Sequence, residues 1–312
     1  MNHAPALSVR QGLVHVSTAA AAWGTGGAAG AMLHDAGRLS PVAVSFWRFA
    51  CGAALLLVFA RCRPSWRAVL LVGPAMAVCQ AAYFAAIAET GVAVATMITM
   101  GTAPLLVAAG GRIFQGEPLG RTALACAGLA LAGLAMLTGG AAPAGPAGVG
   151  YCLVSAAAYS FVTLVTRRMP AEGVAVWGFA GGALCLLPLA VGGGLLPAGH
   201  TTTSVLLLGY LAIVPTALAY RLFFTGLGVV GGVTASVVSL LEPLVAAVAG
   251  VVLLGERMTA VQVAGGALLL TALTWLARAE LRGGPVQGPA REAVQGPARG
   301  PVQGSRPGKP SC

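Results

Sequence analysis

The sequence predicts an all-α integral membrane fold of ten transmembrane helices, arranged as two inverted five-helix repeats with both ends on the cytoplasmic side. Three observations carry that expectation: a charge-poor composition, ten apolar runs, and a block that recurs in the two halves of the chain. Of the 312 residues, 57% are hydrophobic and 8% are charged, where an ordinary soluble domain carries about 25% charged residues. So few charges cannot cover a globule in water. Most of the outer surface must face lipid.

The formal net charge of +10 does not point to nucleic acid. Lys309 is the single lysine among the eighteen basic residues, and the arginines outside the tail stand alone or in small groups between apolar runs. Phosphate-tracking proteins gather such charge on one face; this spacing fits the positive-inside bias of membrane loops. Cys51, Cys62, Cys79, Cys126, Cys152, Cys185 and Cys312 form no Cys-x-x-Cys pair, and five of the seven fall inside apolar runs as small hydrophobes. No disulfide framework, metal site or cofactor is expected. The first apolar run leads directly into others, so no cleavable leader is expected either.

Spanning the hydrocarbon core takes about 20 mostly apolar residues. The runs are 12–33, 42–60, 68–88, 92–111, 122–137, 148–166, 175–194, 204–224, 232–254 and 260–277. Their connections hold the polar punctuation, such as Arg61-Cys62-Arg63-Pro64, Gly116-Glu117-Pro118 and Gly255-Glu256-Arg257. With the N-terminus inside, the cytoplasmic face receives Arg10, Arg61, Arg63, Arg67, Arg112, Arg121, Arg167, Arg168, Arg221, Arg278 and Arg282. The outer face receives Arg38 and Arg257. That asymmetry orients the chain N-in and C-in. From residue 283 the composition turns Gly- and Pro-rich, with Val-Gln-Gly-Pro-Ala-Arg at 286–291 and again at 294–299. Such a segment cannot offset its ordering entropy and is expected to be a disordered cytoplasmic extension.

Shifted by 139 residues, 91–120 lies on 230–259 without a gap, and seven of the thirty positions are identical. Pro104 falls on Pro243, Gly111 on Gly250, and Gly116-Glu117 on Gly255-Glu256. The order is informative: a mid-helix proline, an apolar stretch, then Gly-Glu just past the helix end. The repeats are expected at 12–138 and 148–278. With five spans each, the second enters the membrane from the opposite side. Inverted repeats of this kind are a common plan of secondary transporters, which rock about a site near the midplane.

The opening Ala20-Ala21-Ala22-Trp23-Gly24, then Leu39-Ser40-Pro41 and Phe46-Trp47-Arg48-Phe49, resembles that of the drug/metabolite transporter superfamily, specifically EamA-type proteins. Leu241-Glu242-Pro243 followed by Leu254-Gly255-Glu256-Arg257-Met258 is similar to the second-repeat signature of the same family. The first repeat departs from the pattern by having Pro118 after Gly116-Glu117. The resemblance implies a multi-pass cell-membrane permease that exports amino acids or other small polar metabolites without ATP hydrolysis. A multidrug efflux permease and a non-transporting scaffold are the alternatives. Beyond its substrate and the bilayer no partner is implied, and a homodimer stays open.

In the family, helices one, three, four, six, eight and nine surround a central cavity. The resemblance therefore places Trp23, Gln80, Tyr83, Tyr159 and Tyr220 near it. Aromatic rings with polar handles can hold and orient an organic solute, although the same residues also pack helices or anchor them at the interface. Glu242 stands near the middle of the ninth run, where a carboxylate costs several kcal/mol unless protonated, paired or hydrated. It is read either as a proton-carrying or substrate-sensing acid, or as a structural hydrogen bonder. Arg48 lies about 10 Å below the outer surface, from the helical rise. It could snorkel outward, pair with Glu242 or bind a carboxylate. Glu89, at the outer end of the third run, is most simply solvated. Gly26/Gly30 and Gly178/Gly182 have the spacing of close helix contacts. No GxxxxGK[ST], HExxH or GxSxG motif occurs, and His3, His15, His34 and His200 lie near membrane edges or ends. A pump or an intramembrane enzyme is therefore not expected.

Overall fold

The computed structural model describes residues 7–37, 39–59, 64–116, 120–138, 145–167, 169–196, 201–254 and 257–282. Among these, every regular element is helical, and the helices follow the ten apolar runs in order. They are α1 Val9–Gly37, α2 Pro41–Phe59, α3 Ala68–Thr90, α4 Val92–Gln115 and α5 Arg121–Leu137. Then come α6 Pro146–Thr166, α7 Ala171–Gly192 and α8, which joins Thr201–Ala212, Ile213–Leu218 and Ala219–Leu227. The ninth span, α9, has two pieces, Gly232–Val238 and Leu241–Leu254, and α10 is Ala260–Arg282. Eight of these spans are long and apolar enough to cross a membrane; α5 is shorter, at 17 residues. The expected disordered tail, and Glu117, Pro118, Gly255 and Glu256 of the two repeated turns, lie outside the described residues.

Helix pairing follows a simple rule. α1 packs on α8 and α9, and α6 packs on α3 and α4. α2 pairs with α7, α5 with α10, and α4 with α9, while α3 meets α7 and α2 meets α8. Replacing each helix by the one five places along returns the same set of pairs. Small residues allow the closest of these approaches. A Cβ on Gly133 would stand 2.7 Å from the Leu269 nitrogen, and one on Gly265 would stand 2.6 Å from the Leu137 nitrogen. These two glycines let α5 and α10 cross backbone to backbone. Gly73 does the same for α3 against Gly181 of α7, at 2.7 Å. Of the glycines expected from spacing, Gly26 lies against Pro215, Gly178 against Val72 and Gly182 against Phe49, but a Cβ on Gly30 would meet nothing within 4 Å among the described residues. The Gly26/Gly30 pairing is thus corrected: among the described residues only Gly26 makes the contact.

Prolines shape three spans. A proline has no N–H to give the carbonyl four residues back. In α3 the stretch before Pro74 is a π-helical turn, Ala68–Val72, and the Gly73 N–H reaches back five residues to the Ala68 carbonyl. In α8, Pro215 lies inside the π turn Ile213–Leu218. Such turns re-aim the side chains beyond them. Outside, Val58, Ile113, Phe114, Leu206 and Val252 are all strongly exposed. Such a surface suits lipid.

Candidate functional site

The site is built around the break in α9. Pro243 cannot donate to the Ser239 carbonyl, which instead accepts from the Glu242 N–H at 3.0 Å, three residues on. Leu240 makes the same short step to Val237, also at 3.0 Å. Ser239 and Leu240 thus form a turn inside the span, and Glu242 stands in the first turn of the second piece. Ser239 Oγ donates to the Ala235 carbonyl at 2.9 Å and accepts from the Tyr159 hydroxyl of α6 at 3.1 Å.

Glu242 is half-buried, and among the described residues its carboxylate accepts no hydrogen bond. Five side chains on four other helices lie within its electrostatic reach: Arg48 of α2, Cys79 and Tyr83 of α3, Tyr159 of α6 and Tyr220 of α8. Among the described residues Arg48 and Glu242 form no direct ion pair. Arg48 Nε donates instead to Thr216 Oγ1 of α8 at 3.1 Å. Thr216 passes its own proton to the Leu211 carbonyl at 2.7 Å, the acceptor that Pro215 leaves free.

An aromatic wall closes one side. Trp23 is 8% exposed, its ring 4.8 Å from Tyr220 and 5.1 Å from Phe223. Tyr159 stands 6.4 Å from Phe223, and Phe179 meets Tyr220 edge-on at 5.1 Å. The indole N–H of Trp23 is buried with no hydrogen-bond partner among the described residues. A buried donor in that state is costly unless something accepts from it.

Trp23, Tyr159, Tyr220, Glu242 and Arg48, expected from sequence, are therefore brought together. Tyr83 joins them through Glu242, while its hydroxyl pairs with Thr96 Oγ1 at 2.6 Å. Gln80 sits one step away, its amide donating to Ser45 Oγ of α2 at 3.5 Å, a turn before Arg48. Glu89 is exposed at the end of α3 and takes no part. Thr216 and Ser239 were not expected. A hydroxyl after a mid-span proline, and one three residues before a mid-span acid, were the signals that could have found them.

This arrangement of helices is shared with known proteins. The profile of the EamA-like transporter family matches residues 10–139 and again 146–278. The chain belongs to the EamA-like transporter family. It is 30% identical over 276 residues to the uncharacterized transporter YwfM of Bacillus subtilis (strain 168), covering 83% of this chain and 90% of that one. A solved crystal structure superposes with a TM-score of 0.76 at 21% identity, covering 88% of this chain and 98% of its own. That likeness shows the fold. This EamA-like protein is a multi-pass membrane transporter, and Arg48 and Glu242 stand within its helices, forming no ion pair with each other among the described residues.

Proposed function

We propose that this transporter exports amino acids or similar small polar metabolites across the cytoplasmic membrane by alternating access. Its two halves, α1–α5 and α6–α10, then act as inverted repeats with both ends inside. The observation that carries the reading is Glu242 at a helix break, without an ion pair among the described residues and within electrostatic reach of Arg48, Tyr159 and Tyr220 on other helices. Broken helices with polar groups at the break are where transporters of this plan hold substrate. Helix pairing that is unchanged by a shift of five places supports the two-half arrangement, as does the arginine asymmetry.

Reconstitution into liposomes tests the activity. Vesicles preloaded with labelled amino acids are expected to lose them faster with the protein than without it. Equal loss across the set would sink the export reading. An aromatic wall beside a carboxylate also suits organic cations, so selective expulsion of a cationic dye would favour drug efflux. Cysteines placed at Gly116 and at Gly255 test the inversion, with the first expected to label from the cytoplasm and the second from outside.

A further inference from the structure

We infer that the substrate is recognised by a carboxylate, gripped by the two terminal nitrogens of Arg48, and that Thr216 is the positioning residue that aims them. The inference rests on the transporter reading and names the chemistry of the same site.

The argument begins at Pro215. Having no N–H, it leaves the Leu211 carbonyl without its usual helical donor. Thr216, inside the π turn, gives its hydroxyl proton to that carbonyl at 2.7 Å. The hydroxyl oxygen then has only lone pairs left to offer, and Arg48 Nε donates to it at 3.1 Å. A guanidinium is planar and rigid, so fixing Nε fixes the plane and direction of both Nη groups. Among the described residues neither Nη makes a hydrogen bond or ion pair.

An arginine at this depth normally finds partners for all its donors. Here the one hydrogen bond it makes among the described residues lies on the side of the fork, and the two terminal nitrogens are left to offer. Those two nitrogens match a carboxylate, which accepts two parallel N–H bonds. Glu242 is the carboxylate whose charge reaches Arg48, yet among the described residues the two form no ion pair. A ligand carrying a carboxylate at one end and an amine at the other would satisfy both. Its apolar part would meet Trp23, Tyr220 and Phe223, whose rings lie within 5.1 Å of Trp23. α2 is outside the set of helices expected to line the cavity, and Arg48 brings it to the site.

The test uses the full chain in lipid nanodiscs and probes the twenty common amino acids, each beside its C-terminal amide. Thermal shift reads binding, and proteoliposome flux reads transport. At least one acid is expected to raise the melting temperature while its amide does not. Arg48→Lys is expected to weaken that acid by at least about tenfold, the loss of a charge-assisted pair. Thr216→Val is expected to raise the half-saturation concentration about threefold or more at unchanged maximal flux, and Thr216→Ser to restore it. A purely structural Thr216 would lower folded yield instead, leaving half-saturation as in wild type. The inference falls if amides bind as well as acids, if no acid binds, or if Arg48→Lys binds like wild type. Flux of an amine or amide without acid binding would overturn the carboxylate and spare the transporter. Acid binding without any flux would do the reverse.

Discussion

α4 and α9 are related by the 139-residue shift, and each carries a proline at the same aligned position. α4 runs unbroken from Val92 to Gln115 through Pro104. α9 opens at Ser239 and Leu240, just before Pro243. The residue before each proline turns its carbonyl toward the facing helix of the other half. The Ala103 carbonyl accepts from Ser160 of α6 at 3.2 Å, and the Glu242 carbonyl would stand 2.6 Å from a Cβ on Gly24 of α1. One half therefore meets that carbonyl with a hydroxyl, and the other with bare backbone. The difference teaches that proline alone does not open a span. Ser239 ties its hydroxyl to Ala235 and Tyr159 where α4 has Met100, and Glu242 stands where α4 has the buried Ala103. The two aligned helices share a proline, and the acid and the break stand only on α9.

The strongest way to break this comparison is to move the acid. Ala103 is 2% exposed and packed among α4 and α6. Ala103→Glu is expected to cost about 3 kcal/mol or more, the price of an unpaired carboxylate at mid-span. The readout is loss of monodisperse protein in detergent. A folded and active Ala103→Glu/Glu242→Ala double variant would show that the two halves are interchangeable.

Removing only the charge sharpens the point. Glu242→Gln keeps the shape and is expected to insert and fold, yet to lose flux driven by a pH gradient by roughly tenfold or more. Unimpaired driven flux at matched protein levels would take Glu242 out of coupling. Glu242→Leu would then be the damaging variant, through stability.

A smaller effect separates the two carbonyl contacts. Gly24→Ala forces a methyl against the Glu242 carbonyl and Val245, at 2.6 and 2.7 Å. An overpacking cost of about 1–3 kcal/mol is expected. Ser160→Ala removes one interhelical hydrogen bond, worth about 0.6 kcal/mol. Thermal melts of the two variants should differ in that order, and equal shifts would erase the distinction.

The smallest change in stability, but an informative one, comes from the prolines. Pro243→Ala returns an N–H to the Ser239 carbonyl and should make α9 resemble α4, with hydrogen exchange at Ser239 and Leu240 slowed and flux reduced. Pro104→Ala should leave flux near wild type. Similar losses from both would mean that α4 bends during transport as α9 does.

Much of this was legible in the residues. The lengths and apolarity of the runs determined ten helices in order, because lipid forces each backbone segment to satisfy its own hydrogen bonds. The mid-span acid, the buried arginine and the aromatic residues with polar handles could be picked out singly, since each is costly or unusual in hydrocarbon. Tertiary structure decided which of them meet. Arg48 and Thr216 are 168 residues apart in sequence, and Tyr159 and Ser239 are 80 apart. No local pattern encodes such pairings, because they depend on where helices cross, and the crossings depend on glycines whose neighbours lie on other helices. Tertiary packing also decided that Gly26, and not Gly30, lies at a contact, and that Pro243 marks an opening while Pro104 does not. A helix's composition records its solvent; its partners are recorded only in the packing.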